Sequence, residues 1–380
     1  MLYFLQQYWW VLISLIGALL VFLMFVQGGQ SLLIGSTKNR EEKTLLVNAL
    51  GHKWELTFTT LVTFGGTIFA SFPLYYSTSF GGAYWLWIAI LFLFVIQAVS
   101  YEFRSKAGNI LGAKTYETFL FLNGTFGTIL IGVAVGTFFT GGSFVMDKMS
   151  ITDTFRPTIS YWTNGWHGLD AITNPFNILM GVVVFLAART LGLQYVIMQI
   201  DSEELVTRSK AQLKVIGSAF VIAFVILLIS LFSMTGYSVS LQNGFITPVK
   251  YKYFFNMIQL IWPAVMLIIG IILVVCGLLS SFFAKGRYSF YITGAGIVFA
   301  VWSILICAAL NNTAFFVSNV DIQQSLTLYN SSSSEFTLKV MAFVSLLLPF
   351  VIGYIVFVWR ALTKVKTSSE DINKSDSHKY

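Results

Sequence analysis

The sequence has 380 residues, of which 56% are hydrophobic, 17% aromatic and only 10% charged, and its net charge is +7. Its mean hydropathy is +0.77. A soluble domain carries about 25% charged residues, so this chain cannot cover a water-facing surface, and it reads as an all-α integral membrane protein. The excess of Lys and Arg fits loop anchors at a bilayer rather than a nucleic-acid surface, because no basic run with interleaved aromatics occurs.

A helix needs about 20 apolar residues to cross the hydrocarbon core, and about nine runs reach that length. The first, 8–34, is interrupted by Gln27-Gly28-Gly29-Gln30, which blurs its end. No basic segment precedes it and no small-residue cleavage site follows, so it is expected to be retained. The second, 55–77, follows Trp54 and opens on Glu55. Thr59, Thr63 and Thr67 recur every fourth residue, which puts three hydroxyls on the carboxylate's helix face. At 1.5 Å per residue that stripe runs about 18 Å inward. A carboxylate at the wet end with hydroxyls above it can hold water and pass protons. The competing reading is that the threonines bond back to their own helix carbonyls and Glu55 is an interfacial charge.

The third run, 82–102, closes in "QAVSYEFRSK", which carries Gln97, Tyr101, Glu102 and Arg104. The fourth is 116–140, and the fifth, 174–200, holds Arg189 well inside it. Runs at 212–237, 258–283, 288–310 and 337–360 complete the set. Residues 1–360 thus read as one polytopic transmembrane domain and 361–380 as a polar tail. Segments of about 141–173 and 311–336 are long enough to fold over one face.

Charge sorts cleanly between the connections. Seventeen Lys and Arg fall in the tail and one alternate set of loops, and five fall in the other set. The positive-inside rule then places the N-terminus outside and the C-terminus in the cytoplasm.

Candidate chemistry is sparse. His52, His167 and His378 are the three histidines, and none lies well inside a span. Cys276 and Cys307 sit in apolar runs as packing residues. No HExxH, CxxC, Walker or GxGxxG pattern occurs, so no metal site and no catalytic residue is assigned. Ionisable groups in a membrane are functional candidates because burying them is costly. Glu55 and Arg189 qualify on that ground, with Glu102 and Arg104 at a span end. Arg189 can pair with a carboxylate on another subunit or simply snorkel. Gln27 and Gln30 lie at the depth of Glu55; they can bond water or a neighbouring helix but cannot carry charge.

Several pieces in order resemble subunit II of cytochrome bd quinol oxidase. They are "NALGHKWE", "FGGTIFASFP", "YEFRSK", "IGVAVGTFFTGGSF", "NPFNILMGVV" and "SLTLYNSSSSEFTLKVM", with a short charged tail ending in Tyr380. The resemblance implies nine helices arranged as two four-helix bundles plus one extra helix. It implies a heterodimer with a haem-bearing subunit I that holds two b-type haems, haem d and the quinol site, and it allows small accessory subunits, lipid and quinone as further partners, with no nucleic acid. It implies a bacterial plasma membrane complex that oxidises quinol and reduces dioxygen to water with protons from the cytoplasm. By the same resemblance Glu55, after Trp54, matches an acid of the family's proton route. Gln27 and Gln30 stand where the family's first-span acids fall, Gln97 stands for an arginine, and Thr60 for a tryptophan near an oxygen entrance. The proton-path candidates are therefore Glu55, Thr59, Thr63, Thr67, Gln27 and Gln30. The structural and interface candidates are Trp54, Gln97, Tyr101, Glu102, Arg104 and Arg189. The alternative reading is a nine-span secondary transporter, to which glycine-broken spans and an intramembrane Arg189 are suited; a purely structural assembly subunit is a third.

Overall fold

The computed structural model describes residues 1–106, 108–283, 288–363 and 366–367. Most of the tail expected over 361–380, with His378, lies outside the described residues, as do the loop charges Lys285 and Arg287. Among the described residues eight helices are long and apolar enough to cross a membrane.

Helix α1 (Leu2–Leu23) continues through Met24 into α2 (Phe25–Gln30). The glycines that blurred the end of the first run lie inside the helix. They are a packing seam: a Cβ on Gly28 would sit 1.8 Å from the Ala188 carbonyl oxygen, and one on Gly192 would sit 2.4 Å from the Gly29 nitrogen. Two backbones touch there, and only residues without side chains permit it. The run then turns into α3 (Arg40–Gly51), whose Asn39 side chain accepts from the Glu42 amide.

The second run is shorter than its hydropathy suggested. Helix α4 (Trp54–Ser71) stops at Phe72 because Pro73 follows and disfavours helical geometry before it. The chain resumes as α5 (Pro73–Tyr76) and a π-helical turn, Ser77–Gly81. Helix α6 (Tyr84–Phe103) and the pair α7 (Ala113–Leu122) and α8 (Thr128–Thr140) come next. A second π-helical turn, Asn123–Gly127, joins that pair. Such a bulge inserts an extra residue into the helix and re-aims side chains; here it turns Asn123 into the core.

Asn174 starts α9 (Pro175–Gln199) by accepting from Phe176 and Asn177 amides, with proline at the first position, where its missing N–H costs nothing. Helix α10 (Glu203–Ser233) begins well before the apolar run at 212. Its charged first turns are helical. Helix α11 (Lys252–Gln259) and α12 (Ile261–Phe283) divide the expected 258–283 run at Leu260. After α13 (Ser289–Ala309) comes the single turn α14 (Leu328–Ser331). The last run divides into α15 (Glu335–Ser345) and α16 (Leu348–Thr363) beside Pro349.

The interior is organised around α1, α9 and α13, the helices with the most buried residues. One end of the bundle is capped. Strand β1 (Phe144–Met146) pairs antiparallel with β2 (Ser160–Trp162), and β3 (Gly236–Val239) with β4 (Ile246–Val249). The long segments 141–173 and 311–336 both contribute, as expected. Beneath the cap Trp10 donates to the Leu305 carbonyl at 2.9 Å and meets Phe138 edge-on at 5.5 Å and Phe315 at 4.6 Å. The opposite end carries α3 and most of the Lys and Arg among the described residues, and is called the basic end below.

The backbone contact between α2 and α9 generates a test. Gly28→Ala must push the helices apart and is expected to cost about 3 kcal/mol, the upper range for overpacking. Gly66→Ala, whose added methyl meets nothing within 4 Å, is expected to leave stability unchanged. Thermal melting of both variants in detergent decides; equal melting temperatures would contradict the contact.

Candidate functional site

A buried polar layer lies where α2, α6, the second π turn and α9 meet. Gln27 donates its Nε2 to Gln97 Oε1 at 3.0 Å, and Gln30 donates to the Tyr101 hydroxyl at 3.0 Å. All four side chains are buried. Tyr101 in turn stacks on Trp54 at 5.7 Å with the rings 10° apart. Gly124 lets the π turn approach, because a Cβ there would lie 2.5 Å from the Gln27 carbonyl oxygen. The glutamines thus bond across helices, as neutral groups can, and join two of the residues assigned to structural roles.

The layer is under-satisfied by protein groups. Gln27 Oε1, Gln30 Oε1, Gln97 Nε2, Trp54 Nε1 and both side-chain polar atoms of Asn123 are buried without a partner among the described residues. Buried polar atoms in folded proteins are paired, with ordered water where protein cannot reach. Arg189 sits beside the layer. Its Nη1 donates to the Ser31 carbonyl at 3.0 Å and to the Ser31 hydroxyl at 2.9 Å, and its guanidinium lies 6.0 Å from the Phe185 ring centroid. The carbonyl belongs to the C-terminal end of α2, where the helix dipole favours a cation. Arg189 is therefore held without a carboxylate among the described residues.

Glu55 is not part of this layer. Trp54 turns inward to Tyr101, while Glu55, Thr59 and Thr63 are exposed on the other side of α4 and Thr67 is half-buried. Thr63 donates to the Thr59 carbonyl at 2.8 Å and Thr67 to the Thr63 carbonyl at 2.7 Å. The ladder shares one face, as its spacing predicted, but two of its three hydroxyls bond back along the helix and the face points away from the body of this chain. Thr57, which spacing did not single out, is the buried threonine of α4: it donates across to the Leu23 carbonyl at 2.9 Å.

The basic end holds a charged network that sequence reasoning missed. Arg104 and Lys43 both reach Glu117, at 3.0 Å and 2.7 Å. The side chains of Arg104 and Glu117 are 3% and 6% exposed. Arg208 pairs with Glu42, which also accepts from the Lys38 amide at 2.7 Å. Burial alone would raise the Glu42 carboxyl; the Lys38 amide and the Arg208 guanidinium outweigh it and hold it below its ordinary value. Two signals for this network were present in the sequence: the Asn39-x-x-Glu42 helix start, and Glu117 as a lone acid opening the fourth apolar run. Glu102, by contrast, pairs with Lys106 on the exposed surface. Nearby, Lys53 is buried between the Tyr195 and Trp359 rings, 5.3 Å and 5.5 Å from their centroids, and burial pushes its ammonium down to about 8.

His52 is exposed, and His167 lies in a loop, stacked on Tyr84 at 4.5 Å. Among the described residues no group of three or more His, Cys, Asp or Glu converges on a metal-sized site.

Residues 5–362 match the family described as cytochrome bd terminal oxidase subunit II. The chain is 28% identical over 353 residues to a probable cytochrome oxidase subunit 2 of Haemophilus influenzae, covering 89% of this chain and 88% of that one. It is 25% identical over 394 residues to the cytochrome bd-I ubiquinol oxidase subunit 2 of Escherichia coli K12, covering 98% and 97%. Its fold superposes on a chain in the structure of bd oxidase from Geobacillus thermodenitrificans with a TM-score of 0.65, at 12% identity, over 94% of this chain and 98% of that one. The chain belongs to the cytochrome bd terminal oxidase subunit II family.

The charged network predicts an asymmetry between two glutamates. Glu117→Gln removes the buried carboxylate that Arg104 and Lys43 share, leaves Arg104 its bond to the Thr44 hydroxyl, and is expected to destabilise the chain by about 3 kcal/mol. Glu102→Gln removes an exposed carboxylate, paired with Lys106 at the surface, and is expected to cost about 0.5 kcal/mol or less. Glu42 adds a pH dependence. Its folded value is depressed, so its contribution is present above the ordinary value of 4.5 and is lost as pH falls through the folded value. Melting temperatures of the two variants, and of the parent chain below and above that value, check both statements.

Proposed function

We propose that this chain is the non-haem-ligating second subunit of a quinol:oxygen oxidoreductase of the cytochrome bd type. The observation that carries the reading is the family match across residues 5–362. The donor chemistry supports it. Haem iron takes His, Met, Cys or Tyr as axial ligand. His52 stands exposed at a helix end, His167 is in a loop, and buried Cys307 packs with Met257 and Leu267. The resemblance to the family assigns two b-type haems, haem d and quinol oxidation to subunit I, and the placement of these three side chains agrees with that assignment. The transporter reading is not favoured, because the glycine-broken first span is a close helix contact rather than an unwound binding site.

In this reading the eight long apolar helices and the shorter α4 make nine crossings, as two four-helix bundles plus one extra helix, with residues 1–360 in the membrane unit and a polar tail beyond. The basic end lies in the cytoplasm and the capped end outside. The chain assembles and positions subunit I through an apolar face. The exposed stripe of Glu55, Thr59, Thr63 and Thr67 is then one wall of a proton entrance at the subunit interface. Its outward direction supports a shared wall, because a carboxylate and hydroxyls on that face meet another polar surface better than lipid. Gln27 and Gln30 hold water behind it without titrating.

The function is tested by affinity purification of the chain from its native membrane. Co-purification of a larger haem-absorbing subunit with quinol-driven oxygen uptake is expected; a haem-free, monodisperse chain contradicts it. Glu55→Gln is expected to leave haem content normal and to slow oxygen uptake about tenfold, or about 1.4 kcal/mol of barrier. Glu55→Asp retains more activity, and Thr63→Val loses less, since water replaces one hydroxyl. Wild-type rates in the Gln variant from about pH 6 to about pH 9 would make Glu55 an interfacial charge only. Orientation is checked by thiol labelling in a background lacking Cys276 and Cys307: Thr154→Cys reacts from outside and Ile110→Cys only from the cytoplasmic side.

A further inference from the structure

Helix α16 stands apart from the rest of the fold. Phe350, Ile352, Tyr354, Ile355, Val356 and Phe357 are between 41% and 77% exposed. At 100° per residue those positions cover every side of the helix, so the side turned toward the body is as bare as the side turned away. Yet both ends are fastened. At the capped end Tyr8 bonds the Ser345 hydroxyl at 2.7 Å, and Trp9 donates to the Leu338 carbonyl at 3.1 Å. At the basic end Trp359 donates to the Tyr291 hydroxyl at 3.2 Å and packs edge-on to Phe25 at 5.6 Å. Thr367 exchanges backbone hydrogen bonds with Gln199 and Asp201 at 2.9 Å and 3.0 Å. A helix pinned at both ends and bare in the middle leaves an apolar slot, and within a bilayer a slot is filled by something.

At the basic end of α16 lies a cleft of about 990 Å³ between the ends of α9 and α16 and the starts of α10 and α13. Lys210, Arg360 and Lys366 line it. None of the three forms an ion pair among the described residues, which is unlike Lys43, Arg104 and Arg208 at the same end. Asp201 and Glu203 line the same cleft. The wall toward the membrane interior is apolar, with Ile197, Met198 and Val206.

We propose that this cleft and slot bind one anionic phospholipid with a hydroxyl-bearing headgroup, of the phosphatidylglycerol class. The phosphate sits among Lys210, Arg360 and Lys366, the headgroup hydroxyls donate to Asp201 and Glu203, and an acyl chain fills the gap along Tyr354 and Phe357. A free phosphate would satisfy the cations but leave the slot empty. A zwitterionic headgroup would meet the acids but bring no net charge to three cations. The lipid would serve as the missing packing surface of α16, so the site would couple membrane composition to the position of the last helix.

The test uses the purified complex at matched haem content, reconstituted in vesicles with trace spin-labelled phosphatidylglycerol, phosphatidylethanolamine or phosphatidylcholine. The restricted fraction is read by electron paramagnetic resonance. Each basic group near a charged headgroup is worth about 1 kcal/mol, or about fivefold. The wild type is expected to prefer phosphatidylglycerol over phosphatidylcholine. The triple variant Lys210→Gln, Arg360→Gln, Lys366→Gln is expected to lose that preference by at least about fivefold. A control triple variant, Lys38→Gln, Lys114→Gln, Lys214→Gln, removes equal charge from the same end outside the cleft and is expected to keep it. Equal loss in both triples overturns the proposal, as does equal retention of phosphatidylethanolamine by the wild type. Displacement of the label by inorganic phosphate at moderate concentration would make the site a free-anion site and also overturn it. So would a protein helix found packed against Tyr354 and Phe357 in the assembled complex.

Discussion

The fold depends on how closely α2 can approach α9. A bilayer offers no hydrophobic force between helices, because lipid tails are as apolar as leucine, so association rests on contact and on hydrogen bonds. Gly28 and Gly29 bring the end of the first span against Ala188 and Gly192 with no side chain between. That approach fixes the rotation of α2. Gln27 and Gln30 are then delivered to Gln97 and Tyr101 on α6, and the Ser31 carbonyl is delivered to Arg189. The π turn at Asn123–Gly127 completes the joint, since Gly124 fits against the Gln27 carbonyl. A side chain on Gly28 would disturb all three contacts at once.

Polarity is sorted by what each depth can pay for. Inside the bundle the polar groups are neutral amides and hydroxyls, which need only a hydrogen-bond partner. The buried carboxylates at the basic end are paired, Glu117 with Arg104 and Glu42 with Arg208, because an unpaired buried charge would cost several kcal/mol. Three buried or half-buried cations are held in other ways among the described residues: Arg189 rests on a helix C-terminus, Lys53 lies between the Tyr195 and Trp359 rings, and Lys252 donates to the Asn311 carbonyl. Glu55 lies on the outside of the chain. Under the proposed function, an outward carboxylate above outward hydroxyls is a surface for the partner subunit to complete.

Much of this was legible in the sequence. Hydrophobic run length located the helices to within a few residues wherever apolar residues alone filled them, as in α9, α12 and α13. It failed where charge or proline decided the boundary. The start of α10 is helical but charged, and α4 ends at Phe72 because Pro73 follows. Helical periodicity placed Glu55, Thr59 and Thr63 on one face correctly. It could not say which way that face points, since direction depends on what the neighbouring side of α4 buries, here Trp54, Thr57 and Phe64. The glutamines drew attention as departures from the resemblance, but their partners on α6 lie about seventy residues away in sequence and no local pattern announces them. The Glu42 and Glu117 pairs were missed because basic residues there were counted for topology and not asked for partners.

The central claim is that this chain is completed by another subunit along the outer face of α4. The most direct measurement is site-specific photocross-linking in the assembled complex, with a photoreactive residue at Val62, which is 58% exposed on that helix, and another at Ile268 on α12, 57% exposed. The account predicts an adduct between the Val62 position and the larger haem-bearing subunit, and lipid adducts alone at Ile268. Lipid adducts alone at Val62, with the complex intact and haem-loaded, would contradict it.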